Sequence, residues 1–430
     1  MSDLDEGTEY RDTSLSDEAR HHLEQLRPID IVVGIPSHRN GRTIGEVVRN
    51  VVRGLEQFAH QRVLLMNADG GSSDGTTHHV SDARVTPNIR KFVTLYEGPR
   101  GKGSAVRAIL EAAAITGARA CVVIEARAPG ITAEWVPSLL QPILSGEKEI
   151  AFAWYQRNAY DRALTANVVY PMMRVLLGGD IREPLAGEFA VSGSLAVDLL
   201  SRDVWETDVS RFGINAWLAA LTATEGLRAC QVDLGYRGES GGEPGALVDL
   251  RFVHTVGTLF RLVAMCRRLW QQEVPVVEVP FWNARSSERE ITCRDCLPVL
   301  LEAFRGAPES CGDAWRQVLS PKVLAEVLAL TRQSDQGFDF PLPLWTRVVY
   351  EFTLNYSKGE GDPDKVGEAL LPLFYGRAAA YMLALQDASG AVVEASNAAI
   401  VRAFARAKPA FVQQWNGYAS WLETRDYWFS

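Results

Sequence analysis

Long apolar runs are missing from this chain of 430 residues. A membrane-spanning helix needs about 18 or more uncharged apolar residues in a row, and no such run occurs. The nearest, "TVGTLFRLVAMCRRLW", is broken by arginines at helical spacing. A signal peptide is also missing, since the opening "MSDLDEGTEYRDTSLSDEARHHLEQLR" is acidic and polar, so a cytoplasmic protein is expected. Positive charge is not in excess. The net charge of −9 argues against nucleic acid as the main partner. Cysteine is scarce: Cys121, Cys230, Cys266, Cys293, Cys296 and Cys311 are scattered, and only "CRDC" has metal or redox spacing. One such pair, with no second pair and no nearby histidine, reads more simply as reduced thiols. No GxGxxG follows the first strand, which counts against a nicotinamide-dependent dehydrogenase. Internal repeats are absent.

What is present is ordinary for a globular protein, with 47% hydrophobic and 23% charged residues. Residues 1–28 read as a mobile acidic tail with one short helix at "SDEARHHLEQL". From there "IDIVVGIPS", "RVLLMNADGG", "KFVTLYEGP" and "ACVVIEA" read as strands, with helical periodicity in "GRTIGEVVRNVVRGLEQF" and "GSAVRAILEAAAITGA" between them. Strands alternating with helices imply a mainly parallel sheet. Ligands gather at the carboxyl ends of such strands, so the loops after Ile35, Asn67, Tyr96 and Ile124 are expected on one rim. From about residue 285 the pattern turns helical, with Trp345, Phe352, Phe374 and Tyr375 on apolar stripes. The division expected is a tail over 1–28, an α/β domain over 29–285 and a helical C-terminal domain over 286–430.

Three loops carry candidate chemistry. "NADGGSSDGT" places Asp69 at a strand end before small residues with accessible N–H groups, so its carboxylate can accept from a ribose or a base. The same composition also makes a plain turn. "EGPRGKGSA" sets Arg100 and Lys102 before a helix, which suits a diphosphate, although the P-loop spacing fails and a solvated basic loop is the simpler alternative. "IREPLAGEFAVSG" reads as a loop presenting its backbone and Glu188.

Taken together, "IPSHRN", "DGGSSDGT", "GKGSA", a strand-terminal acidic triplet, "PLAGEF" and "FGINAW" occur in the order seen in family 2-like glycosyltransferases. The set most resembles the glucosyl-3-phosphoglycerate synthase and mannosylglycerate synthase group, over roughly residues 29–285. That resemblance implies a GT-A fold, a Rossmann-like nucleotide-diphospho-sugar transferase domain with a C-terminal helical extension, often as a homodimer. It implies a UDP- or GDP-sugar donor, Mg²⁺ or Mn²⁺, and transfer of glucose or mannose to glycerate or 3-phosphoglycerate with retention. Pro36, Ser37, Asn40 and Asp69 would line the nucleoside pocket, and Arg100, Lys102, Glu125 and Arg127 the diphosphate. Glu188 and Asn215 would stand at the catalytic positions, with Leu185, Ala186 and Gly187 facing sugar and acceptor.

The metal positions depart from that pattern. The triplet expected as Asp-x-Asp is Glu125-Ala126-Arg127. The metal-binding histidine falls on Glu239, and no histidine lies between Arg211 and Val253. Asn215 stands where an aspartate is expected. An arginine offers only donors and cannot ligate a metal, but it binds phosphate through its fork. Three readings stand: Arg127 with Lys102 replaces the metal, Arg127 is locked in a salt bridge with Glu239 or Glu125, or the ligands lie elsewhere, such as Glu239 and Glu243; any metal kept at the resembled site would fall to Glu125 and Glu239. The matching functional alternatives are an active hexosyltransferase and a catalytically silent relative that binds a nucleotide or sugar phosphate or serves as an assembly subunit.

Overall fold

The computed structural model describes residues 12–157, 159–238, 246–283, 296–359 and 361–418. The chain divides into two units. The first comprises residues 1–156, 181–240 and 278–286; the second comprises 157–180, 241–277 and 287–430. The single boundary expected near residue 285 is therefore replaced by an interleaved division, in which two excursions of the middle section belong with the C-terminal helices.

The first unit is built on seven strands: β1 (Ile31–Ser37), β2 (Val63–Asp69), β3 (Ile89–Leu95), β4 (Ala120–Val123), β5 (Ile150–Gln156), β6 (Phe189–Ser192) and β7 (Ala229–Tyr236). Their order is β3-β2-β1-β4-β6-β5-β7. β1 to β4 run parallel, in the register Ser37↔Asp69, Asp69↔Leu95 and Gly34↔Val123. This is the α/β, Rossmann-like class expected, and it sets the carboxyl ends of the first four strands along one rim. β6 is antiparallel to both β4 and β5, whereas β5 and β7 are parallel. The "EFAVSG" segment, expected as part of a loop, is thus a strand in the middle of the sheet.

Both faces of the parallel half are covered, as its near-continuous apolar strands require. Ile31, Val33 and Ile35 join Val47, Val51, Leu55, Trp135 and Leu139 in one core with the helices Ile44–Leu55 and Trp135–Leu144. The helix Lys102–Thr116 packs on β1, β2 and β4. Its approach to β1 needs a glycine, because a Cβ at Gly34 would come within 2.3 Å of Ile109 Cγ2.

Residues 12–25, expected within a mobile tail, are instead structured. Ser16 caps the helix Asp17–Gln25, accepting from the Ala19 N–H, and Leu15, Ala19 and Leu23 are buried. Thr13 Oγ1 donates to Glu111 Oε2 at 2.6 Å and the Ser14 N–H to Glu111 Oε1 at 2.9 Å. Ser14 O in turn accepts from the Glu97 N–H at 2.9 Å. Residues 12–15 thereby join the helix Lys102–Thr116 to the loop that precedes it.

The second unit is helical, with long helices at Ala246–Met265, Leu297–Val318, Pro321–Leu330, Leu342–Lys358, Pro363–Ala384 and Gly390–Gly417. Trp345, Phe352, Phe374 and Tyr375 are buried as their stripes require. Arg377 is buried among them, donating to Asn167 Oδ1 at 2.8 Å and Phe340 O at 2.7 Å. Burial lowers its guanidinium to about 10. No described helix is long and apolar enough to cross a membrane. Cys121, Cys230, Cys266, Cys296 and Cys311 form no disulfide with one another, and Cys293 lies outside the described residues.

Candidate functional site

The rim is built from two loops joined to each other. The loop after β1 and the loop after β2 share backbone and side-chain hydrogen bonds. The Gly70 N–H donates to Ser37 O, Arg39 N–H to Ser72 Oγ, Asn40 N–H to Thr76 Oγ1 and Gly41 N–H to Asp74 Oδ2, all between 2.8 and 2.9 Å. Asp74 is held below the ordinary carboxylate range by the Thr76 hydroxyl and the Gly41 N–H. The Asn40 side chain faces its own loop, accepting from the His38 N–H at 2.9 Å. Pro36 is half-buried and Ser37 buried at the end of β1.

Asp69 is fully buried. Its Oδ1 accepts from Ser37 Oγ at 2.6 Å and Ser72 Oγ at 2.7 Å, and its Oδ2 accepts from the N–H groups of Gly71 at 2.9 Å and Ser72 at 2.6 Å. Two small residues with free N–H groups after a carboxylate close on it themselves. The turn reading of "DGGSS" therefore describes what this carboxylate does here, and the expectation that it is open to a ribose or base is corrected.

The second half of the rim centres on Glu125, just beyond β4, where the Ile124 N–H still bonds Gly34 O at 2.9 Å. β2 and β4 flank β1 on either side, so Asp69 and Glu125 lie on the same rim as expected. Lys102, the first residue of its helix, places Nζ 2.9 Å from Glu125 Oε1 and 2.9 Å from Gly187 O. Arg237, just after β7, puts Nη2 2.7 Å from Glu125 Oε2 and 3.1 Å from Arg127 O. Its Nη1 reaches Glu188 Oε2 at 2.8 Å and the Tyr155 hydroxyl at 2.6 Å, and the guanidinium lies over the Tyr155 ring at 4.9 Å. Tyr155 closes the circuit, donating to Glu188 Oε2 at 2.6 Å and accepting from the Gly187 N–H at 2.9 Å. Burial works against the charge on Arg237, yet Glu188, Tyr155 and Glu125 outweigh it and hold the guanidinium well above its ordinary range. The cluster thus sets two cations against two carboxylates.

Several expectations are corrected here. Glu188 has a side-chain exposure of 0%; its Oε2 is ion-paired with Arg237, whereas its Oε1 is buried with no hydrogen-bond partner among the described residues. Asn215 Nδ2 donates to Leu185 O at 3.3 Å and Ala186 O at 2.7 Å; it anchors the loop before β6. The polar backbone expected to face an acceptor at Leu185, Ala186 and Gly187 is engaged internally, because Asn215, Lys102 and Tyr155 take those carbonyls and the Gly187 N–H. Lys102 and Arg237 pair with Glu125, while Arg127 contributes its carbonyl to Arg237 and has an exposed side chain, as does Arg100; the expected pairing of Arg127 with Glu239 falls outside the described residues.

A divalent metal does not fit these residues. Mg²⁺ and Mn²⁺ take several hard oxygen ligands, whereas both Glu125 oxygens are occupied by a guanidinium and an ammonium that would repel a further cation. Among the described residues, no group of three or more His, Cys, Asp or Glu could hold a metal. Glu239 and Glu243, the other expected ligands, lie outside the described residues.

Sequence reasoning missed Tyr155 and Arg237. The available signal was topological. β7 runs parallel to β5 with Gln156 opposite Tyr236, so the residue after β7 reaches the same rim two positions before Glu239.

No family model and no curated protein matches the sequence. Solved structures with partial similarity include glucosyl-3-phosphoglycerate synthase from Mycobacterium tuberculosis in complex with Mn²⁺, uridine diphosphate and phosphoglyceric acid. It is 20% identical, with 57% of this chain and 82% of that chain covered, at a TM-score of 0.41. The same synthase with Mg²⁺ and uridine diphosphate is 19% identical, with 58% and 85% covered and a TM-score of 0.40. A mycobacterial protein without a stated activity is 21% identical, with 59% and 80% covered and a TM-score of 0.41.

Proposed function

We propose that the chain is a nucleotide-sugar-dependent glycosyltransferase that passes glucose or mannose from a UDP- or GDP-sugar to a small acceptor such as glycerate or 3-phosphoglycerate. The observation carrying this reading is the shared rim, where the two joined loops around Ser37, Asn40 and Asp69 end beside Lys102 and Glu125. Parallel α/β sheets bind nucleotides at that edge. In this reading Pro36 and the loop surfaces line the nucleoside, while Lys102 and the exposed Arg100 and Arg127 face the diphosphate. Glu188 is buried and Asn215 carries no base, so the acceptor proton passes to the leaving phosphate oxygen.

A second reading, a silent relative that binds a nucleotide or sugar phosphate, is favoured by one observation: Arg237 ties up both Glu125 and Glu188. Thermal-shift titrations with UDP, GDP and their glucose and mannose conjugates, followed by hydrolysis and transfer assays, separate the two. Stabilisation with turnover supports the transferase, and stabilisation without turnover the silent relative. No response to any nucleotide refutes both.

A further inference from the structure

The carboxylate at the rim raises a question of sign. A metal ligand makes anion binding stronger, whereas a bare carboxylate beside the cations makes it weaker. Glu125 has a side-chain exposure of 31%, against 13% for Lys102 and 6% for Arg237. It is the most exposed of the four paired side chains, in which Lys102 and Arg237 face Glu125 and Glu188. Its two oxygens are not equivalent. Oε2 faces Arg237, whose remaining bonds run to Glu188, Tyr155 and the Arg127 carbonyl. Oε1 faces Lys102, the cation nearer solvent, at the start of a long helix.

We propose that Glu125 is a displaceable counter-ion on a metal-free site for a phosphate-bearing ligand. Arg237 holds the carboxylate by Oε2, and the ligand takes Lys102 from Oε1. This rests on the nucleotide reading above for the identity of the ligand, and goes beyond it in the role of Glu125 and in the absence of metal dependence. Lys102 keeps Gly187 O in both states, so its ammonium has a fixed seat and exchanges only one partner. The helix N-terminus behind Lys102 adds a favourable field for the incoming anion. Arg237 stays as the buried post, since moving it would leave Glu188 without its counter-charge.

The test is isothermal titration with inorganic pyrophosphate and with UDP, each in EDTA and in Mn²⁺, on the whole chain and on Glu125→Gln and Lys102→Met. Removing one unit of negative charge at contact distance is expected to tighten binding about three- to tenfold. Lys102→Met is expected to weaken it at least about tenfold. Affinities in EDTA and Mn²⁺ are expected to coincide. If Glu125→Gln fails to fold, Gly187→Ala is the second variant, because its methyl group would drive the Glu125 carboxyl away from its seat; it too should tighten binding. Binding that requires Mn²⁺ and weakens in Glu125→Gln overturns the inference while leaving the nucleotide reading intact. Absence of binding by every variant overturns both.

Discussion

Gly187 stands against the Glu125 carboxylate so closely that a Cβ there would lie 2.2 Å from Glu125 Cδ. The loop before β6 therefore needs a glycine at this point because of a side chain, not a backbone angle. Gly187→Ala is expected to fold, since the atom it meets is the far end of a flexible chain, but with the Lys102–Glu125 pair broken. A crystal structure of the variant with Glu125 unmoved would contradict this.

Arg237 is the residue on which most of the cluster depends. Arg237→Met leaves the buried Glu188 without its counter-charge and Glu125 with Lys102 alone, and stranding a buried carboxylate typically costs about 3–5 kcal/mol. Arg127→Ala, at an exposed position, should change stability by less than about 1 kcal/mol. Urea unfolding of the two variants checks the ranking, and similar losses would reverse the assignment of the internal salt bridge to Arg237.

Asn215 tests the view that an aspartate belongs in its place. Its amide donates to two carbonyls, and a carboxylate there would face both of them with no proton to give. Asn215→Asp is expected to lower stability by about 1–3 kcal/mol, the cost of leaving such groups unpaired. It should gain no activity. Increased transfer in Asn215→Asp would argue for a lost catalytic base.

Glu111 supplies a pH dependence. Burial pushes its carboxyl above the ordinary 4.5, against the hydrogen bonds from Thr13 and Ser14 and the charge of Arg107. A carboxyl raised in the folded state holds its proton more tightly there than when unfolded. Its contribution to stability is complete below pH 4.5 and is lost as pH rises through the folded value. Glu111→Gln should remove that decline, so the difference in melting temperature between variant and parent moves in the variant's favour from pH 4.5 towards neutrality. Parallel melting curves across that range would show that Glu111 does not titrate there.

Most of the parallel half of the sheet was legible because β1, β2 and β4 are near-continuous buried runs, whereas β3 carries Arg90, Lys91 and Thr94 among its apolar residues. β6 was not, because "FAVS" is four residues long and follows directly on a Pro-Leu-Ala-Gly turn, so periodicity has too little length to act on. The two loops were found but their chemistry was misjudged for a common reason. Asp69, Glu188 and Asn215 have the right types and spacing for ligand binding, and the fold engages both oxygens of Asp69, Glu188 Oε2 and the Asn215 amide N–H groups internally. Arg237 acts through Glu125 and Glu188, far away in sequence, and only the order of the strands brings them together. The short helix Asp17–Gln25 was visible, but its docking rests on Leu15 and Leu23 within a polar run, too sparse a pattern to signal burial.

The outer edge of β7 is closed by residues from the far side of an excursion into the second unit. The Gln231 N–H bonds Pro280 O at 2.9 Å, the Trp282 N–H bonds Gln231 O at 2.8 Å, and Asn283 Oδ1 accepts from the Asp233 N–H at 2.8 Å. On the ribosome this has a consequence in time. A nascent chain released only as far as Tyr236 has every strand of the sheet yet presents β7 as a bare edge, open to pairing with a neighbouring chain. The edge is covered only after the helix Ala246–Met265 has also been made. Slow translation between Gly238 and Pro280 would prolong that exposure, and a chaperone that shields strand edges would be needed most in that interval.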